Sequence, residues 1–155
     1  TKCFPRFSII WLTTGQGEPL IHVPLPSGFK ELPLHTALNF ENDGSLSEPD
    51  QVLLFPDTFC PSAEMITICH GDAMIPRLMP GDWMFLARAQ VDSLVFGQVY
   101  IVIAGPIRLC RIVRKGETTA SVRLVSLKPE KYDELIILRT DIDEVFRLCG
   151  TFRHG

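Results

Sequence analysis

Thiols and imidazoles are the side chains whose spacing can be tested first for metal binding or nucleophilic catalysis. The chain has five cysteines and four histidines, and the cysteines are Cys3, Cys60, Cys69, Cys110 and Cys149. Their number is odd and no Cys-x-x-Cys pair occurs, while Cys69 and His70 are adjacent and do not easily chelate one metal ion. We therefore predict reduced thiols in a reducing compartment, without a metal or a cofactor.

A second candidate for chemistry is the segment 70–82, in which two Gly-Asp pairs bracket a Met-x-Pro sequence. Its informative residues are Gly71, Asp72, Ala73, Met74, Pro76, Pro80, Gly81 and Asp82. One Gly-Asp pair is a weak signal, because turns commonly contain both residues. Two pairs around Met-x-Pro, followed by the apolar run Trp83–Leu86, form a fairly specific pattern.

Short strands must position this segment. Apolar alternation and β-branched runs predict strands at Glu64–Cys69, Trp83–Ala87, Gln98–Ile103, Ile107–Arg114, Ser121–Leu127, Leu135–Leu138 and Ile142–Cys149. Ala104-Gly105-Pro106 predicts a hairpin turn, and only Met74–Leu78 and Lys128–Tyr132 look like helical turns. The sequence therefore predicts a mainly-β fold, a folded ribbon or barrel-like body of short strands with one or two short helical turns.

The chain divides into three stretches. Residues 1–20 contain a short apolar run followed by glycine and proline, and we interpret them as the end of a larger domain plus a linker. Residues 21–61 are rich in proline and indicate an irregular segment or edge strands. Residues 62–155 contain the predicted β domain.

Charge and hydropathy argue against two classes of partner for this part of the protein. The formal net charge is −3, whereas surfaces that bind duplex DNA usually carry an excess of lysine and arginine. No apolar run approaches the roughly 18 residues of a membrane span, and no secretion signal opens the chain. We predict a cytoplasmic protein in which this stretch binds neither DNA nor membranes. Its basic cluster is interpreted as a solvated strand face and consists of Arg108, Arg111, Arg114 and Lys115.

The 70–82 segment resembles the active-site signature of the LexA and phage-repressor self-cleaving peptidases. That signature reads Gly-Asp-Ser-Met, a few residues, then Gly-Asp before a strand. Ile107–Ile112 is similar to the family's Val-x-Val-Lys-Arg-Leu strand, and Leu124–Tyr132 is similar to its Ser-x-Asn-Pro-x-Tyr turn, with Lys128 in place of Asn. Val145–Gly150 resembles the closing strand. The resemblance implies a LexA-like or signal-peptidase-like folded β-ribbon over residues 62–150.

In this family a serine attacks the peptide bond and a neutral lysine removes its proton. Here Ala73 occupies the serine position and Cys110 the lysine position, which implies that the protein is not an enzyme. The usual Ala-Gly or Cys-Gly cleavage bond is also missing before residue 71. We predict that the side chains of residues 73 and 110 lie next to each other across a shallow groove. The vestigial active site would comprise Gly71, Asp72, Ala73, Met74, Pro76, Gly81, Asp82 and Cys110.

Two enzymatic alternatives stay open. Ala73 could replace the serine of a self-cleaving repressor, although Cys110 argues against this because one substitution suffices to silence a dyad. Cys110 could instead be a relocated nucleophile with His70 as its base. A thiol in the middle of a strand is, however, more often buried and inert.

With the catalytic serine and lysine absent, the resemblance implies a role in assembly. Phe4–Glu18 is similar to the tail that closes the helix-turn-helix domain of phage-type repressors, with Trp11 and Leu12 packed on helices before residue 1. This implies a transcriptional regulator that reads DNA through that domain and forms a homodimer through the present one. A further alternative is a domain that senses a peptide or ligand in the vacated cleft.

The predicted dimer strand is Ile142–Cys149, whose alternating pattern offers an apolar row to a partner. The alternative is that the same side chains fill the core of the protomer. The residues in question are Ile142, Val145, Phe146 and Leu148.

Overall fold

The computed structural model describes residues 27–153. The similarity of Phe4–Glu18 to a helix-turn-helix tail therefore lies outside the described residues. The described chain forms nine strands in one sheet. These are β1 (Phe29–His35), β2 (Gln51–Pro56), β3 (Met65–Ile68), β4 (Trp83–Ala89), β5 (Val99–Ala104), β6 (Ile107–Lys115), β7 (Ser121–Val125), β8 (Leu135–Leu138) and β9 (Glu144–Phe152).

The mainly-β fold predicted from the sequence is confirmed. The strand order is β2-β1-β3-β4-β9-β5-β6-β7-β8, and β1 pairs with β3 in the parallel direction, whereas the other paired strands run antiparallel. The hairpin predicted at Ala104–Pro106 joins β5 to β6, with Gly105 at φ +58°. Because β1 and β2 form one end of the same sheet, residues 29–56 continue the β body rather than standing apart from it.

Two short 3₁₀ helices, Val91–Ser93 and Arg139–Asp141, are the helical elements of the described chain. They differ in place from the helical turns predicted at Met74–Leu78 and Lys128–Tyr132, which are single hydrogen-bonded turns. Each of these two turns closes one i→i+4 hydrogen bond, from the Leu78 N–H to the Met74 carbonyl and from the Tyr132 N–H to the Lys128 carbonyl. Among the described residues, no helix is long and apolar enough to cross a membrane.

Strand β5 is buried along its whole length, and it divides the interior into two clusters. Val99, Ile101 and Ile103 belong to core A, which also contains Met74 and Phe146 among others. Tyr100, Val102 and Ala104 belong to core B, together with Val113, Val122 and Val145. Since successive side chains of a strand point to opposite faces, both faces of the sheet are covered at β5. Core C lies around Leu32, Ile66 and Phe85.

Phe146 is fully buried in core A on the central strand β9. We expect Phe146→Ala to lower the free energy of unfolding by about 3–5 kcal/mol, because it leaves a cavity that the neighbouring strands cannot close. Urea denaturation measures this loss. Val95→Ala is the control, since Val95 is 54% exposed and its truncation should change stability by about 0.5 kcal/mol or less. Equal effects of the two substitutions would contradict the described core.

Candidate functional site

The turn between β3 and β4 contains the segment that the sequence singled out. Two backbone hydrogen bonds close its base, from Cys69 N–H to the Asp82 carbonyl at 2.8 Å and from Gly81 N–H to the Cys69 carbonyl at 2.9 Å. Gly71 and Gly81 have φ angles of +87° and +92°, which residues with a side chain rarely adopt. The two glycines of the motif are therefore required by the backbone path.

Asp72 fastens the turn to the connection between β7 and β8. Its carboxylate accepts hydrogen bonds from Tyr132 Oη at 2.5 Å and Lys131 Nζ at 2.8 Å, while Lys128 Nζ lies at 3.5 Å. These donors, Lys131 foremost, hold the pKa of Asp72 well below its usual range. The Leu127 N–H also donates to the Ala73 carbonyl at 2.9 Å. The turn is thus joined to a distant part of the sheet by charge and by main chain.

Asp82 fastens the other end of the turn. Its side chain is 2% exposed and accepts the Met79 N–H at 2.9 Å. Arg153, which follows β9, donates to both carboxylate oxygens at 2.9 and 2.8 Å. A bidentate guanidinium–carboxylate pair of this kind fixes orientation as well as position. The second Gly-Asp pair therefore connects the turn to the end of the chain that the structure describes.

Ala73 and Cys110 lie on different elements of the fold. Ala73 is 9% exposed, and its neighbour Met74 lies in core A. Cys110 is at the middle of β6, opposite Ile101, and packs against core A as well. The direct contact between the side chains of residues 73 and 110 stays a prediction. The remaining member of the predicted set, Pro76, follows a cis peptide bond within the turn.

The environment of Cys110 determines whether its thiol can act as a nucleophile. Desolvation, followed by repulsion from Cys69, raises the pKa of the Cys110 thiol to about 12, although Arg111 and Arg77 act in the opposite direction. A thiol with that pKa carries its proton at neutral pH, and the thiolate is the form that acts as a nucleophile. His70 lines the same groove as Cys110, and its Nε2 lies 3.0 Å from the Thr36 carbonyl oxygen. The two residues share a groove in which the sulfur lacks the charge that nucleophilic attack requires.

This groove has a volume of about 170 Å³, below the range of about 300–1,000 Å³ that is usual for small-molecule sites. It has room for one or two side chains. Its lining residues are Ala37, Leu38, Thr67, Ile68, His70, Met84, Ile101, Arg108, Leu109 and Cys110.

The connection between β1 and β2 covers part of this region, which sequence reasoning missed. Phe40 and Leu46 pair across a β-bridge and pack against core A beside Cys110. The Arg108 guanidinium carbon lies 6.0 Å from the centre of the Phe40 ring, within cation–π distance. The sequence does signal the turn itself, because Asn42-Asp43-Gly44 stands between two apolar residues.

The predicted dimer strand has an internal position. Strand β9 is hydrogen-bonded to β4 on one edge and to β5 on the other. Val145 and Ile142 are buried in core B and Phe146 in core A, while Leu148 packs against core A. These side chains fill the core of the protomer, the second of the two readings that the sequence allowed.

Among the residues that the structure describes, no group of three or more His, Cys, Asp and Glu side chains could hold a metal ion. No protein-family model matches the chain, and a search of curated proteins finds no significant relative.

The Asp72 cluster predicts a pH dependence of stability. Because the pKa of Asp72 is lowered from 3.8 on folding, its contribution is present above that pH and is lost as the pH falls toward the lowered value. We expect Asp72→Asn to lower the melting temperature at pH 6, and the difference from the wild-type chain to shrink steadily below about pH 4. Thermal melts across this range provide the measurement.

Glu117→Gln is the matched control, since Glu117 is exposed and lies outside the cluster. Its melting temperature should follow that of the wild-type chain at every pH. If the melting temperature of Asp72→Asn also followed that of the wild-type chain at every pH, the hydrogen bonds of Asp72 would not stabilise the fold.

Proposed function

We propose that this chain is a non-catalytic dimerisation and regulatory domain of a phage-repressor-like transcriptional regulator, with the remains of a Ser–Lys peptidase site. One observation carries the proposal. Position 110, where the resemblance requires a lysine base, holds a thiol whose pKa is raised to about 12. With a methyl group at position 73, neither an attacking oxygen nor a proton acceptor is available for the dyad reaction.

The salt bridges that hold the turn support a structural role for this segment. Asp72 and Asp82 each bind cationic side chains from distant parts of the chain. Salt bridges at exposed positions contribute little singly, but networks that join separate elements contribute more. Selection for a stable body would preserve these contacts after the loss of the nucleophile and the base.

The alternative is a self-cleaving repressor whose nucleophile was replaced at Ala73. It requires Cys110 to act as the base. Restoring the serine would restore cleavage only if residue 110 could accept a proton. A protonated thiol cannot do so, and desolvation favours the protonated form of Cys110. The burial of Cys110 therefore favours the non-catalytic role.

Self-cleavage separates these two functions. We expect the Ala73→Ser protein to stay intact during prolonged incubation at about pH 10, where the family's neutral lysine would be active. Denaturing electrophoresis and intact mass measurement detect fragments. Ala73→Gly is the control, because it loosens the same turn without adding a hydroxyl. Fragments from Ala73→Ser alone would overturn the proposed function in favour of the self-cleaving repressor.

Dimerisation needs a surface other than β9, and β8 offers one. The sheet ends at β8, so its outer edge carries backbone groups that can pair with another strand. Ile136 and Leu138 on this strand are 55% and 50% exposed. Two copies of β8 related by a twofold axis would pair antiparallel and would bring the exposed side chains of one copy against those of the other. The proposed dimer therefore extends the sheet through β8.

Sedimentation equilibrium over a concentration series tests this interface. We expect a reversible dimer of the wild-type chain and a dissociation constant at least about tenfold higher for Ile136→Lys/Leu138→Lys, because like charges of the two copies would face each other across the strand pair. Leu54→Lys is the control, since Leu54 is 43% exposed on β2 at the opposite end of the sheet. A strict monomer at high concentration, or a dimer broken only by Leu54→Lys, would contradict the β8 interface.

A further inference from the structure

Two cysteines outside the candidate site, Cys60 and Cys149, come together although they are far apart in sequence. Cys60 lies in the turn between β2 and β3, and Cys149 lies on β9. Both are free, half-buried thiols, and both pack against core C. Two thiols that share one apolar surface and are open to small solutes are candidates for a joint reaction.

A β-bulge places Cys149 toward this surface. Gly150 pairs with Phe85 and Leu148 pairs with Leu86, so that Cys149 is the extra residue in the register. Such an extra residue re-aims a side chain. The Ser62 hydroxyl donates a hydrogen bond to the Cys149 sulfur at 3.4 Å. Because Ser62 belongs to the same turn as Cys60, this contact holds the Cys149 sulfur beside the Cys60 turn.

The position of Cys60 is fixed from the other side. A Cβ atom built on Gly150 would lie 2.5 Å from the Cys60 sulfur, so this sulfur lies over the residue next to Cys149. Lys30 Nζ donates to the Cys60 carbonyl and anchors the turn. Burial and then charge repulsion from Cys149 raise the pKa of the Cys60 thiol. The Cys60 sulfur over Gly150 and the Ser62 hydroxyl on the Cys149 sulfur place the two thiols at neighbouring positions along β9.

We propose that Cys60 and Cys149 form a reversible disulfide when the chain meets hydrogen peroxide. The Cys149 thiolate attacks the O–O bond, which breaks as an S–O bond forms, and the first oxygen leaves as water after taking up a proton. The Cys60 thiolate then attacks the Cys149 sulfur, forms the S–S bond and expels hydroxide, which leaves as a second water. Two thiols are oxidised, one peroxide is reduced, and both thiol protons end in water.

The order of the two steps follows from the electrostatics. The raised pKa of Cys60 leaves little thiolate at neutral pH, which slows its reaction with peroxide. Once Cys149 carries the S–O bond, the second step is intramolecular and benefits from the closeness of the two sulfurs. The reaction is therefore expected to be slow in its first step and selective in its second.

The disulfide would join the turn after β2 to β9 and would close a long loop of the chain. Closing such a loop restricts the unfolded state and stabilises the folded one. We expect oxidation to raise the melting temperature by about 5–15 °C, and a reductant such as dithiothreitol to reverse the change.

The experiment uses the full chain with Cys3→Ser, which removes the cysteine outside the described residues. After treatment with hydrogen peroxide, free thiols are alkylated with a maleimide, and the protein is digested without reduction and analysed by mass spectrometry. We expect a linked pair of peptides containing Cys60 and Cys149 and the loss of two alkylation sites. Cys69 and Cys110 should stay alkylatable after unfolding, because the thiol of Cys110 keeps its proton.

Cys60→Ser and Cys149→Ser should each abolish the linked peptides and the rise in melting temperature, whereas Cys69→Ser should change neither. The peptide map of the chain that keeps both thiols decides the matter even if one of these variants is unstable. Separate sulfinic acids on Cys60 and Cys149, or a link between either of them and Cys69 or Cys110, would overturn the proposal.

Discussion

Strand β9 is hydrogen-bonded on both edges, and it holds together the elements that form the candidate site and the Cys60–Cys149 pair. It joins β4, which carries the Gly-Asp turn, to β5, which carries the hairpin with Cys110. Its side chains enter core A and core B alternately, through Phe146 and Val145. Arg153, just beyond its end, binds Asp82, and its bulge directs Cys149 toward Cys60. Loss of β9 would separate the turn from the strands that face it.

The side-chain contacts of the turn do not depend on the two positions that the resemblance assigns to the dyad. The side-chain contacts that hold the turn are made by Asp72 and Asp82, and the contact at Ala73 uses its main-chain carbonyl alone. A methyl group at position 73 and a thiol at position 110 are both compatible with packing beside an apolar core. In this environment a buried lysine would be costly unless it served a reaction, because desolvation disfavours its charged form. A cysteine at this position does not carry that cost.

Most of the fold could be predicted from the sequence because its strands are short and strongly patterned. Trp83–Ala87, Ile107–Arg114 and Leu135–Leu138 were predicted within two residues of their observed bounds. The first half was harder, since the prolines of residues 21–61 left an irregular segment and edge strands as alternatives, and the pairing of β1 with β2 and β3 decides between them. The last strand shows the limit of periodicity. Its alternation predicted a single buried face, whereas both faces are covered by different cores.

For the candidate site, the sequence predicted the Gly-Asp turn but not what holds it. Lys131 and Tyr132 were read as part of a family-like turn, and their contact with Asp72 depends on the path of β7 and β8. The cover formed by Phe40 and Leu46 was not predicted, because the turn Asn42-Asp43-Gly44 signals the bend but not the core on which its flanking residues pack. The nearness of Cys60 and Cys149 depends on a bulge, which no periodic pattern signals.

The position of residue 73 relative to residue 110 decides whether the turn and the hairpin are the remains of a dyad. Nuclear Overhauser spectroscopy on the isotopically labelled chain measures it, with the contact between the Leu127 amide and Ala73 as an internal standard. We expect a direct cross-peak between the Ala73 methyl protons and the Cys110 β-protons. If the Leu127 contact is observed and the cross-peak to Cys110 is absent, the two residues are not the counterparts of a serine and a lysine, and the assignment of a lost peptidase site fails.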